Sequence, residues 1–500
     1  MSIFPDFPAF ETAYRAGRPQ LVQRRLVNDL ETPVSAYLKL AGARKNAFLL
    51  ESVEGGEQLG RFSIIGLKPD IIWRCLGDKS EINRNAAADT LRFEPETGSV
   101  LDNLKSLLAE SELTPPENAP PMAAGVFGFF GYDMARQLER LGDKPPVHIE
   151  TPDAIFIRPT IIAVFDNIRQ EILLYSPIRP ENGLSARAAY ARAGERLSDA
   201  VGELEAPLLH PQSSTASIRE QHIAHSNTPK ADYKDMVNRA KDYISAGDIF
   251  QVVLSQRFSI PFAAPPFELY RALRRSNPSP FMYYFHFDDF SIVGSSPEIL
   301  VRVRDGEITI RPIAGTRPRG VGPQEDSALA AELLADPKER AEHLMLLDLG
   351  RNDVGRSAKI GSVRVTDQFT IERYSHVMHI VSNVVGALEE TRHPVDAVMN
   401  GFPAGTVSGA PKIRAMQIID ELEKSARGVY AGAIGYFSAN GNVDTCIALR
   451  TAIVKDGIMH VQAGAGIVAD SDPEMEQREC ENKAQALFSA AETALARTGN

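Results

Sequence analysis

Three cysteines in 500 residues, Cys75, Cys446 and Cys480, are too few and too scattered for a disulfide framework or a zinc-ligand pattern. A reducing compartment suits such a chain. Positive charge is also in short supply: the net charge of -11 argues against a nucleic-acid surface, which needs a dominant basic stripe. It leaves room for an anionic substrate, because a pocket gathers cations or a metal locally even in an acidic protein. Long hydrophobic runs are missing too. The opening MSIFPDFPAF has no apolar stretch of signal-peptide length, and no segment is long enough to span a bilayer. These absences lead to the expectation of a cytoplasmic protein that binds neither nucleic acid nor membrane.

The length exceeds what one hydrophobic core usually organises, so two domains or one large composite fold are expected. The polar, Pro- and Ser-containing stretch GELEAPLLHPQSSTASIREQHIAHSNTPKA reads as a linker over 202–231, between an N-terminal part, 1–201, and a C-terminal part, 232–500. In the latter, the pattern predicts a helix over Tyr233–Ala246, stopped by Gly247, and then a strand over Phe250–Phe258. Asn440-Gly441 and Asp456-Gly457 supply the positive φ of tight hairpins, joining predicted strands Val429–Phe437, Val443–Val454 and Ile458–Ala463. Strands and helices cluster rather than alternate. The expected class is α+β, a large composite fold of mainly antiparallel sheets flanked by helices.

Two helix starts carry the chemistry. Asp336-Pro337-Lys338-Glu339 offers an N-cap, a proline at the first helical position and an acid in the first turn, with Glu339 and Glu342 then sharing a face. Ser471-Asp472-Pro473-Glu474 repeats the device ahead of Glu476, Glu479 and Lys483. Carboxylates on a helix are ordinarily solvated surface charge. Here Glu342 is embedded in apolar sequence, and the donor set is all oxygen with no Cys/His cluster, which suits a hard cation such as Mg²⁺. Glu339-Arg-Ala-Glu342-His343 lacks the first histidine of a zinc H-x-x-E-H motif. Gly464-Ala465-Gly466-Ile-Val-Ala469 matches a dinucleotide fingerprint only superficially, because Asp470–Pro473 separates it from the next helix. It is expected to be a loop whose backbone approaches a carboxylate closely.

With these segments in view, the chain resembles the chorismate-utilising enzyme family, and within it the anthranilate synthase large subunits. The likeness runs through DIFQVVLSQRF (248–258), NPSPFMYYF (277–285), GSSPE (294–298), RPIAGTRPRG (311–320), AEHLMLLDLGRND (341–353), YSHVMH (374–379), FPAGTVSGAPK (402–412), YAGAIGY (430–436), ALRTA (448–452) and QAGAGIVADSDPE (462–474), and before them LLES (49–52). The resemblance implies that ammonia adds to chorismate, the ring hydroxyl departs, and pyruvate leaves to give anthranilate. It implies Mg²⁺ on Glu342 and Glu479 with Glu339 and Glu476 in support, Glu298 as general acid, and His379 near the elimination step. Substrate contacts would come from Gly315, Thr316, Thr406, Tyr430, Arg450, Gly464, Ala465, Gly466 and Lys483. Tryptophan, as feedback inhibitor, would lie against Leu50, Glu51, Ser52, Asn277, Pro280, Phe281 and Met282.

Two positions select within the family. Gln251 stands where water-adding members place a lysine base, and a neutral amide does not activate water. Ala314 stands where many aminodeoxychorismate synthases carry a nucleophilic lysine. Gly350 and Phe281 are mild departures from the usual Ala and Tyr. No Gly-x-Cys-x-Gly nucleophile segment surrounds any cysteine, so ammonia is expected free or from a separate glutamine amidotransferase subunit. The expected assembly is two large and two small subunits, or a homodimer of this chain alone. Aminodeoxychorismate synthesis is the alternative within the family, and an inactive tryptophan-binding scaffold the alternative of another class.

Overall fold

The computed structural model describes residues 3–54, 58–208, 224–374 and 377–498. Much of the predicted linker (209–223), together with Ser375 and His376 of the YSHVMH segment, lies outside the described residues.

The sequence AIFIRPTIIAVFD, β-branched and aromatic almost throughout, forms the strand Ala154–Asp166, and every residue of it is buried. It is where the sheet forks. Along one edge it pairs with Gln58–Leu76; along the other it pairs first with Gly125–Phe130 and then with Glu171–Ile178. One arm proceeds from Gln58–Leu76 through Ala47–Glu54, Phe281–His286, Phe290–Ser296, Thr451–Lys455 and Ile458–Ile467 to Gln251–Pro261. The other proceeds from Gly125–Phe130 through Ala433–Ser438, Val443–Ile447, Ile299–Arg304 and Glu307–Ile310 to Val377–Ala387. All these pairings are antiparallel, as the hairpin signals predict. Both arms interleave strands from before and after the polar stretch.

The arms face each other across an aromatic layer. Phe48 stacks on Phe127 at 4.5 Å between centroids and lies 5.3 Å from Phe285, so it touches both arms. Gly66 makes room for it: a Cβ there would lie 2.2 Å from the Phe48 ring. Phe48→Ala is therefore expected to cost about 3–5 kcal/mol, read as a lowered midpoint in urea unfolding.

Two expectations are corrected. The predicted strand Val443–Val454 is two strands, Val443–Ile447 and Thr451–Lys455, interrupted where Arg450 takes a positive φ of 46°. The polar stretch carries structure at both ends: the helix Ala186–Glu205 runs into it, and the helix Lys230–Ser245 begins before its end. The two carboxylate helices form as predicted. Asp336 Oδ1 accepts from the amides of Lys338 and Glu339 and launches Pro337–Gly355. Asp472 Oδ1 accepts from Glu474 and Met475 and launches Pro473–Thr498. Among the described residues no helix is long and apolar enough to cross a membrane.

Candidate active site

Glu298 follows the strand Phe290–Ser296, where Ser296 Oγ turns back to donate to Ile447 O at 2.6 Å and Ile447 N donates to Glu298 O at 3.0 Å. Its carboxyl group is buried, and Thr406 Oγ1 donates to Oε1 at 3.0 Å. Burial outweighs that hydrogen bond and pushes the Glu298 pKa up to about 8, so at neutral pH it is a carboxylic acid. Thr406 sits in the turn Gly405–Val407, nested on the first carboxylate helix; a Cβ on Gly405 would lie 2.2 Å from Leu349 Cδ2.

The strands Ile313–Pro318 and Val377–Ala387 place Thr316 opposite His379, with a bulge at Gly315, whose φ is 70°. His379 Nδ1 lies 2.9 Å from Gly315 O and 3.1 Å from Thr316 Oγ1. The carbonyl requires Nδ1 to be the donor, which leaves Nε2 as an acceptor. Burial holds the His379 pKa below its ordinary value, so the ring is neutral. Arg450, between its two strands, has no hydrogen-bond or ion-pair partner for its guanidinium among the described residues, and burial lowers its pKa. A half-buried guanidinium without a counter-ion has the planar fork that suits a carboxylate.

Gly464, Ala465 and Gly466 are part of the strand Ile458–Ile467, paired with Ser255, Leu254 and Val253, which corrects the expected loop. The close backbone approach holds in another form. A Cβ on Gly464 would lie 2.7 Å from Tyr430 Oη, and one on Gly466 would lie 2.6 Å from Gln251 Nε2. On its other edge this strand's pairing ends at Val461, opposite Ala452, so the glycine segment lies beyond the end of the neighbouring strand, near Arg450. Lys483 Nζ reaches Gly464 O at 2.9 Å and Glu479 Oε1 at 2.7 Å.

Two of the four glutamates, Glu342 and Glu476, respond to the carboxylates around them. The Glu342 pKa is raised by burial first, then by Glu339 and by Glu479; Glu476 is raised by burial and by Glu479. The nearby Gln251 amide draws the Glu342 pKa back down, and Arg317 holds Glu339 at 3.2 Å. Among the described residues no three His, Cys, Asp or Glu side chains converge into a preformed metal cage. An all-oxygen donor set spread over two helices suits a hard cation that keeps waters and takes ligands from its substrate.

The chorismate binding enzyme model matches residues 49–489. The chain belongs to that family. It is 56% identical over 491 residues to anthranilate synthase component 1 of Cereibacter sphaeroides, covering 98% of each chain. It is 50% identical over 467 residues to anthranilate synthase component 1 of Pseudomonas aeruginosa, covering 92% of this chain and 93% of that one. Among solved structures, anthranilate synthase component I from Streptococcus pneumoniae superposes with a TM-score of 0.74 at 38% identity, covering 93% of this chain and 99% of the other. The menaquinone-specific isochorismate synthase from Escherichia coli, at 21% identity and a TM-score of 0.70, covering 97% and 99%, shares the fold.

In this chorismate-binding chain, the segment expected to bind an inhibitor is a strand pair: Ser52 lies opposite Phe281, Glu51 opposite Met282 and Leu50 opposite Tyr283, with Pro280 O accepting from Val53 N. The Glu51 carboxylate is held by Arg274, Tyr270 and Ser63. Asn277 O accepts from Ser295 Oγ, on the strand that leads to Glu298. Sequence patterns alone miss Arg317 and the buried pair Glu423–Arg427. The i, i+4 spacing of that pair, three residues before Tyr430, is the one signal available.

Proposed function

We propose that this chain makes anthranilate and pyruvate from chorismate and ammonia, the first committed step toward tryptophan. The observation that carries the reading is Glu298, a carboxylic acid kept protonated by burial, because losing a ring hydroxyl at neutral pH needs a proton donor. The high identity to proteins named anthranilate synthase component 1 supports the same reading.

Glu342 and Glu479 would hold Mg²⁺ with Glu339 and Glu476 in support; when bound, the ion supplies a Lewis acid for a substrate carboxylate. Arg450 pairs with a carboxylate of the ring substrate, and Lys483 and the backbone of Gly464–Gly466 line the same side. Glu298 gives its proton to the departing hydroxyl while Thr406 holds the carboxyl in place. His379, neutral with Nε2 open, takes the ring proton shed as pyruvate leaves. Tyr430, Gly315 and Thr316 shape the remaining wall. Gln251, a neutral amide, leaves water unactivated, and Ala314 offers no nucleophile, so ammonia is the reagent that adds.

Incubating the purified chain with chorismate, Mg²⁺ and ¹⁵N-ammonium should give singly labelled anthranilate and an equal amount of pyruvate by mass spectrometry. Isochorismate or aminodeoxychorismate as the end product would refute the assignment. A glutamine amidotransferase subunit would supply ammonia in the assembled enzyme. Tryptophan would inhibit by binding at Leu50–Ser52 and Asn277–Met282. Ser52 Oγ is 3.4 Å from Phe62 O, at the edge of this strand pair, and Ser52→Phe should weaken tryptophan inhibition by at least about 10-fold by filling the space an indole needs. Unchanged inhibition would remove Ser52 from the inhibitor site.

A further inference from the structure

The most enclosed ion pair of the active-site region takes no part in the chemistry above. Glu423 and Arg427 are 2% and 1% exposed. Arg427 Nε and Nη2 fork onto the two Glu423 oxygens at 3.0 and 2.6 Å. Nη1 donates to Val407 O at 2.6 Å and Nη2 to Val253 O at 2.7 Å. Arg427 Cζ lies over two rings, 4.7 Å from the centroid of Tyr132 and 5.5 Å from that of Tyr430. Glu423 Oε1 also accepts from Ser255 N and Oγ, each at 2.8 Å, and Ser255 Oγ accepts from Gln462 Nε2 at 2.8 Å.

Desolvating two ions is costly, and a well-packed apolar pair is often as stable, so stability alone does not account for such a group. Its contacts share one property. Val407 adjoins Thr406, the partner of Glu298; Val253 is two residues from Gln251; Ser255 is in register with Gly464; and Tyr430 is touched directly. We propose that Arg427, clamped by Glu423, is a positioning residue that fixes Thr406, Gln251, Tyr430 and Gly464 relative to one another around the ring substrate. Tyr132 brings the N-terminal part to this guanidinium, and its amide donates to Gly428 O at 2.8 Å. The planar fork is what the role requires: lysine keeps the charge but not four directed contacts beside two aromatic rings.

The proposal rests on the anthranilate-forming reading, and its test uses the full-length chain with chorismate, Mg²⁺ and ammonium. Arg427→Lys should melt as a folded protein yet lose about 10–100-fold in kcat, as small misplacements of reacting groups do. The KM for chorismate should change less than about 3-fold, because Arg450 is not among the pair's contacts. The alkaline limb of the pH–rate profile should move upward, since Thr406 holds the Glu298 pKa down and would no longer be fixed. The charge-free double variant Glu423→Leu/Arg427→Met should fold and show the same kcat loss. It carries the test if Arg427→Lys does not fold. A folded variant with wild-type kcat and an unmoved pH limb would overturn the proposal, and failure of both variants to fold would reduce the pair to a stability role. Absence of anthranilate from the wild-type reaction would instead overturn the functional reading.

Discussion

Glu298→Gln is expected to lower kcat by about 10²–10⁴-fold, the usual worth of a positioned general acid. Gln is nearly isosteric, and its carbonyl oxygen still accepts from Thr406 Oγ1, so the pocket keeps its shape and the KM for chorismate should hold. What disappears is the transferable proton. The pH profile gives the prediction a sign. With a pKa of about 8, the wild-type acid is protonated below that value, and activity at fixed free ammonia should fall as pH rises through it. Glu298→Gln should lose that limb along with its rate. Steady-state kinetics of both proteins between pH 6 and pH 10 make the comparison, and a limb unchanged in the variant would assign the ionisation to another group.

The second large effect concerns the metal. Removing an outer partner of a metal ligand typically costs 10–100-fold in affinity, so removing a ligand itself should cost at least about that. Glu342→Gln and Glu479→Gln should each raise the Mg²⁺ requirement by this much and abolish turnover at millimolar metal. Calorimetric titration with Mg²⁺ in the presence of chorismate reads the effect without relying on activity. Under the proposed ligand set Glu339→Gln and Glu476→Gln, at supporting positions, should do less. Equal losses at all four positions would redistribute the ligand set.

Features set by neighbouring residues are the ones a sequence displays. Asp336 and Asp472 cap their helices where Asp-Pro says they should, and the Asn-Gly and Asp-Gly turns close their hairpins. The carboxylates of the two helices were therefore legible as a pair of faces. That the two helices come together depends on tertiary approach, visible in the raised pKa of Glu342, to which burial contributes most and Glu479 of the other helix least. Arg450 shows the opposite case. Strand-compatible apolar residues continue on both sides of it, so nothing local marks the break or the positive φ at Arg450. Gly464–Gly466 read as a loop because glycines weaken strands; the pairing with Val253–Ser255 overrides that preference. Arg427 was invisible for a simpler reason: its partners at Val253, Val407 and Tyr132 are scattered along the chain.

The proposed anthranilate-forming site unites a protonated Glu298, an Arg450 without a counter-ion and the glutamates proposed to hold Mg²⁺. Anthranilate fluorescence from the wild-type chain with chorismate and ammonium, followed before and after addition of Mg²⁺, tests that union most directly. Fluorescence should be absent in chelator, appear on adding Mg²⁺, and rise in step with pyruvate. Turnover that ignores the metal, or chorismate consumed with no anthranilate formed, would contradict it.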